Sequence, residues 1–174
     1  MKVLKFGGSS VGSSGSIKQV VEIIRTSRAD GPCAVVLSAM QGTTDSLIEA
    51  GRSAERGDDG YIEILSNIGE HHAKTIKELF ESEEHHEISD FVETTVKELE
   101  NLCEGVRLIR ELSSKTLDRI LSFGEIVASR IVAAKLAAEN INNEWKDSRL
   151  LIRTDSTHGF AAVDFAETNK RIID

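Results

Sequence analysis

The stretch Lys5-Phe6-Gly7-Gly8-Ser9-Ser10-Val11-Gly12 holds residue types in an order that can do chemistry. A lysine is followed by two glycines and two hydroxyls. Glycines let a backbone approach a ligand closely. The N–H groups of such a turn, with the start of a following helix, make an anion site. A lysine just before the turn adds a point charge for phosphate oxygens. The order is not that of the Walker loop, because here the lysine precedes the glycines. On local chemistry alone, a plain strand–turn–helix corner explains the same residues equally well. A second turn, Ser38-Ala39-Met40-Gln41-Gly42-Thr43-Thr44, has a similar make-up. Its hydroxyls suit contacts to a small polar acceptor, and they equally suit capping of the helix after Gly42.

The elements flanking these turns follow from apolar spacing. Residues 2–6 (KVLKF) and 33–37 (CAVVL) are short apolar runs that read as buried strands. Between them Ile17, Val20, Val21 and Ile24 recur on one helical face, which Asp30-Gly31-Pro32 ends. Strand, turn, helix, strand is a βαβ unit with a parallel pair. In an open parallel sheet, ligands sit at the carboxyl ends of the strands, so the two turns should be neighbours. A helix over about 44–56 comes next, with Leu47, Ile48, Gly51 and Ala54 on one side. Residues 60–112 read as almost wholly helical. Tyr61, Leu65, Ile68, His72, Ile76 and Leu79 mark one face; Ile88, Phe91, Val92, Thr95, Val96, Leu99, Leu102 and Val106 mark another. A long helix over about 114–140 carries Leu117, Ile120, Leu121, Gly124, Val127, Ile131 and Leu136 inward. Residues 144–147 and 150–152 read as short strands with Trp145 packed beside them. Asp164-Phe165-Ala166-Glu167 reads as a capping box opening a last helix. No capping glycine follows it, which predicts that the chain is part of something longer.

Composition narrows the function classes. The chain has 174 residues, 21 Lys+Arg against 29 Asp+Glu, and a net charge of -8. The segment 60–112 alone holds 13 acidic and 5 basic residues, so the negative charge is concentrated there. An acidic chain is a poor nucleic-acid binder, because neutralising phosphates needs a basic face. No apolar run approaches a membrane span of roughly 18 residues, and the N-terminus lacks a signal-peptide core. Two distant cysteines, Cys33 and Cys103, give neither a disulfide framework nor metal spacing, and predict buried thiols in a reducing, cytoplasmic setting. His71-His72 and His85-His86 read as surface pairs rather than metal ligands, since adjacent helical residues do not face one another. The acidic run 81–84 reads as a solvated helix end or loop.

KFGGSSVG followed by VVLSAMQGTTD resembles the opening of the aspartate kinases of the amino acid kinase family. Phe123-Gly124-Glu125, in the long helix, is similar to that family's glycine–glutamate motif. The three motifs occur in the family's order over the first 125 residues. Further on, Asp147-Ser148-Arg149 and Arg153-Thr154-Asp155 are more loosely similar to a strand and a threonine–aspartate turn of the family, and no site residue is carried over from them. Ser9 stands where the family usually has threonine, which keeps the hydroxyl. Asp45 stands where some relatives have asparagine.

The resemblance implies an α/β three-layer sandwich with a mainly parallel sheet, incomplete here, and a helical insertion at about 60–112. It implies that Lys5 stabilises charge on a transferring phosphoryl group, while Gly7, Gly8 and Ser9 bind the phosphates of ATP. Ser38, Ala39 and Thr44 would contact the amino acid, and Glu125, a partly buried carboxylate facing a cleft, would hold its α-amino group. The implied reaction is ATP-dependent phosphorylation of the L-aspartate side-chain carboxylate to 4-phospho-L-aspartate, in the biosynthesis of lysine, threonine and methionine. Mg²⁺ would bridge the phosphates, with no metal ligand supplied by this chain. The family's catalytic domain continues into a nucleotide-binding half. Regulatory ACT domains follow, in some relatives with a fused homoserine dehydrogenase, and the full-length proteins form homo-oligomers largely through the regulatory domains. Residues 1–174 therefore read as the N-terminal portion of the catalytic domain, well over half of it, with weak substrate binding and little turnover alone. Two other readings stay open: another amino acid kinase, acting on glutamate, acetylglutamate or a nucleoside monophosphate, and a non-catalytic anion-binding module.

Overall fold

Two parallel strands carry the two turns. In the computed structural model, which describes residues 1–81 and 85–173, β1 (Lys2–Phe6) and β2 (Cys33–Leu37) pair in register from Lys2↔Cys33 to Phe6↔Leu37. The crossover is helix α1 (Ser14–Arg28), whose N-terminus is capped by Ser13 accepting from Ser16 N–H at 3.2 Å. Its buried residues are Ile17, Val20, Val21 and Ile24, the face that the periodicity marks.

The strands are not buried on both faces. Leu4, Phe6, Cys33, Val35 and Leu37 pack inward against α1 and the long helix. Val3 is 64% and Val36 51% exposed on the other face, beside Lys5. Strand side chains alternate, and among the described residues no element covers that outer face. Of the expected three-layer sandwich, this chain builds a two-stranded parallel sheet with helices on one side.

Five long helices make up most of the chain: α1, α2 (Thr43–Arg56), α3 (Gly60–Leu79), α4 (His86–Ile109) and α5 (Ser114–Ala138). The segment 60–112 is helical as expected, while Ser82, Glu83 and Glu84 of the acidic run lie outside the described residues, as does Asp174. Two apolar clusters fill the interior. One joins the sheet and α1 to the Ile76–Leu79 end of α3 and Phe80 after it, the start of α4 and the last turns of α5. The other joins α2, the start of α3, the end of α4 and the first half of α5. α5 runs through both, burying Ile120, Phe123, Gly124, Val127, Ile131 and Leu136 among others. Cys103 is fully buried in the second cluster, and burial pushes its thiol up to about 11.

The segment after α5 departs from expectation. Residues 144–147 form no strand, and Ser148–Leu151 is a single helical turn, α6. The cause is local. The Asp147 carboxylate accepts from Arg149 N–H at 3.0 Å, and the Arg149 guanidinium folds back onto it at 2.7 Å, closing a turn where an extended run would need a partner strand. Trp145 accordingly packs on a helix. Its indole N–H donates to Ser129 Oγ at 2.9 Å, and the Arg130 guanidinium lies 5.0 Å from its ring centroid. The final helix, α7 (Phe165–Ile173), begins where the capping box predicts, with Glu167 N–H donating to Asp164 Oδ1 at 3.0 Å. Only half of the box forms. Asp164 N–H donates instead to Arg153 O, beside the antiparallel bridge Thr154↔Val163, and Glu167 pairs with Arg171.

Where α3 begins and α4 ends, Glu104 accepts from Tyr61 Oη at 2.7 Å and from Arg107 Nε at 2.7 Å. The Arg107 and Tyr61 hydrogen bonds hold the Glu104 carboxyl down to about 2, against an ordinary value of 4.5. A depressed carboxylate contributes stability that is present above its unfolded value and lost as pH falls towards the folded one. Glu104→Gln is therefore expected to lower Tm at neutral pH and to flatten the fall in Tm between about pH 4.5 and 2, read by circular dichroism melts across that range.

Candidate functional site

The two turns meet because their contact residues are small. Gly8 and the next two residues form one 3₁₀ turn after β1, closed by Ser10 N–H to Gly7 O (2.9 Å) and Val11 N–H to Gly8 O (3.2 Å). The second turn leaves β2 with Ser38 N–H donating to Phe6 O at 3.1 Å, so it starts level with the end of β1. A Cβ placed on Gly8 would lie 3.0 Å from Ala39 O, and one on Gly12 would lie 3.0 Å from Gln41 Cβ. These glycines are needed for that close approach. Positive φ occurs instead at Gly42 (φ 82), which turns the chain into α2.

The third motif lands on the same spot. A Cβ on Gly124 would lie 2.7 Å from Ala39 Cβ and 3.5 Å from Thr43 Cγ2, so α5 rests directly on the second turn. Ala39 is 2% exposed, with Gly8 on one side and Gly124 on the other. The structure thus brings together Gly8, Ala39 and Gly124 by packing and Ser38 by a backbone hydrogen bond, and it sets Thr44 on the first turn of α2.

The polar and charged candidates lie outside this packed layer. Lys5, Ser9, Thr44 and Glu125 are exposed; Gly7, Gly8 and Ser38 are half-buried. Among the described residues neither Lys5 nor Glu125 enters an ion pair, and the N–H groups of Gly8 and Ser9 donate to no protein acceptor. Donors left open at a turn beside a cation can receive an anion. Glu125 departs from the expected half-buried carboxylate. Successive helical residues point about 100° apart, so burying Gly124 against Ala39 directs position 125 outward. No group of three or more His, Cys, Asp or Glu side chains disposed to hold a metal ion exists among the described residues.

Sequence reasoning missed three contributors. Met40 is 1% exposed and anchors the second turn, and Gln41 packs on Gly12. Neither residue type announces such a role. His72 does not lie on the surface: it is 1% exposed, with Nδ1 donating to Ile68 O at 2.7 Å. Its place on the apolar stripe of α3 was the available signal.

The sequence profile of the amino acid kinase family matches residues 1–171. Aspartokinase 1, chloroplastic, of Arabidopsis thaliana is 40% identical over 137 residues, covering 77% of this chain and 23% of its own length. The aspartokinase of Chlamydia trachomatis is 32% identical over 164 residues, covering 94% of this chain and 34% of its own. The chain thus spans a quarter to a third of the length of these relatives. The crystal structure of E. coli aspartokinase III in complex with aspartate and ADP superposes with a TM-score of 0.88 at 23% identity, over 99% of this chain and 37% of that one; this likeness shows the fold.

The packing at Ala39 sets a quantitative expectation. Gly124→Ala forces two β-carbons together and is expected to cost about 1–3 kcal/mol in urea denaturation, with Ala39→Gly in the same chain recovering most of the loss.

Proposed function

Since the chain belongs to the amino acid kinase family, we propose that it is the N-terminal, amino-acid-contacting part of an aspartate kinase, transferring the γ-phosphoryl group of ATP to the side-chain carboxylate of L-aspartate. The observation that carries this reading is the convergence of the three motifs on Ala39, with open N–H donors at Gly8 and Ser9 and exposed side chains at Ser9, Thr44 and Glu125 next in the chain to the residues that meet there. The similarity to aspartokinases, one of them crystallised with aspartate and ADP, supports the same substrates here.

In this reading the free N–H groups of Gly8 and Ser9, the Ser9 hydroxyl and the backbone of Gly7 hold phosphate oxygens. Phosphoryl transfer spreads charge over the equatorial oxygens of the moving group. The unpaired Lys5 ammonium neutralises that charge. Ser38, Ala39 and Thr44 orient the amino acid, and the exposed Glu125 carboxylate takes its α-ammonium in a charge-assisted hydrogen bond. The acceptor is itself a carboxylate, so it attacks without a general base. The described residues build no ligand cluster for Mg²⁺, which would enter with the nucleotide phosphates. The remaining nucleotide contacts and a second helical layer over the bare sheet face belong, in this proposal, to the rest of the protein, whose assembly is homo-oligomeric. No helix among the described residues is long and apolar enough to cross a membrane. The unpaired thiols of Cys33 and Cys103 support a reducing setting, which we take to be cytoplasmic, although the plant relatives are named as chloroplastic.

The test is hydroxylamine trapping of acyl phosphate with Mg-ATP and aspartate, with glutamate as the control acceptor. Alone, the 174-residue chain is expected to bind aspartate weakly and to yield hydroxamate at or near the blank. The full-length protein is expected to give aspartate-dependent hydroxamate, reduced at least about 100-fold by Lys5→Ala. Product from the isolated chain, lost in Lys5→Ala, would show that this part suffices for the chemistry. Absence of aspartate binding together with absence of full-length turnover would sink the reading.

A further inference from the structure

Behind the candidate site lies a chamber of about 10 Å³, bounded by α2, α3, α4 and α5. It is too small for an organic ligand. Its walls include Thr43 of α2 and Gly124 of α5, the residues immediately before Thr44 and Glu125 in the chain. Leu47, Val92, Leu99 and Phe123 make the rest of it apolar. His72 of α3 also lines it. The ring is fully buried, and since Nδ1 faces the Ile68 carbonyl oxygen at 2.7 Å, Nδ1 carries the proton. Nε2 is a bare acceptor with no hydrogen-bond partner among the described residues.

We propose that neutral His72 is a positioning residue for the amino-acid site: its single-proton form lets α3 close the void whose far walls are Thr43 and Gly124, and a second ring proton shifts those two residues and, with them, Thr44 and Glu125. The proposal rests on the reading of Thr44 and Glu125 as amino-acid contacts.

The argument is one of placement. A proton on Nε2 would put a charged donor into an apolar wall without an acceptor, which a packed interior strongly disfavours. No other residue lining the chamber is titratable: α2, α4 and α5 present only apolar and threonine side chains to it, and the Thr95 hydroxyl already donates to Phe91 O at 2.7 Å. The titratable neighbour acting on the ring is exposed His71 of the same helix. Burial holds the His72 ring below its ordinary value, against the pull of the Ile68 carbonyl, with His71 adding to the depression. The folded ring therefore stays neutral below the ordinary imidazole value; the stability this contributes is full above that value and is lost as pH falls towards the lower folded one. Strain enters where the walls are least able to absorb it, because Gly124 and Thr43 are already pressed together with Ala39.

The test is an NMR pH titration of the 174-residue chain from pH 8 to 5. At neutral pH the His72 ring is expected as the Nδ1–H tautomer, titrating below the ordinary imidazole value. The backbone amides of Thr43, Thr44, Gly124 and Glu125 are expected to shift with the His72 midpoint. In His72→Gln, which keeps a donor for Ile68 and does not titrate, that shared transition should vanish; His72→Met serves if the glutamine variant does not fold. Aspartate affinity in the wild-type chain should fall over the same range, by up to about tenfold per pH unit, and stay level in the variant. Flat amides while the His72 ring titrates would overturn the proposal. So would a transition that persists without His72, or global unfolding in the same step. If aspartate binds at no pH, that result counts against the aspartate reading alone, which full-length turnover then decides, and the amide titration still decides the role of His72.

Discussion

Ala39 is buried with its carbonyl oxygen against Gly8 and its methyl group against Gly124, and a β-carbon at either glycine would press on it. Three stretches of chain, more than a hundred residues apart at the extremes, cross within van der Waals distance there. Each contributes backbone or a single methyl, so the crossing has almost no rotamer freedom. Whatever Lys5, Ser9, Thr44 and Glu125 do, their relative positions are set by this crossing and by the strands and helix that feed it. That is a rigid support beneath exposed side chains, the arrangement a site needs when its chemistry depends on placement more than on reactive groups.

The helical part separates charge from packing. Most of its described acidic residues face solvent, and exposed ion pairs such as Arg56–Glu49 and Lys97–Glu100 contribute little to stability, unlike the Glu104 carboxylate held by Tyr61 and Arg107. Apolar burial along α3, α4 and α5 holds the helices together. His72 is the exception, a titratable ring placed among residues that do not titrate, one wall away from the crossing.

Much of this was legible in the sequence. The strands, α1 and its four buried residues, the long helices and the N-cap at Asp164 all follow from spacing and capping rules, because each depends on neighbours within a turn or two. What was missed depends on partners elsewhere. Residues 144–152 have strand-like composition, but extended backbone needs a neighbour to pair with, and the Asp147–Arg149 contact wins locally. Val3 and Val36 look like core until the structure shows no layer over them. The resemblance implies a partly buried Glu125, which is exposed because the packing of Gly124 decides where its neighbour points. The glycines of the first turn read as positions of close approach to a ligand, and the structure shows Ala39 and Gln41 as the neighbours that Gly8 and Gly12 approach.

The chain contains one tryptophan. Trp145 is tethered through its indole N–H to Ser129, which lies one helical turn beyond Glu125 on the same side of α5, and its ring is stacked by Arg130. Indole emission depends on hydrogen bonding and on nearby charge. The protein therefore carries an intrinsic fluorophore whose colour and intensity are coupled to the stretch of helix that presents Glu125, and occupancy of that face is open to optical measurement without a label.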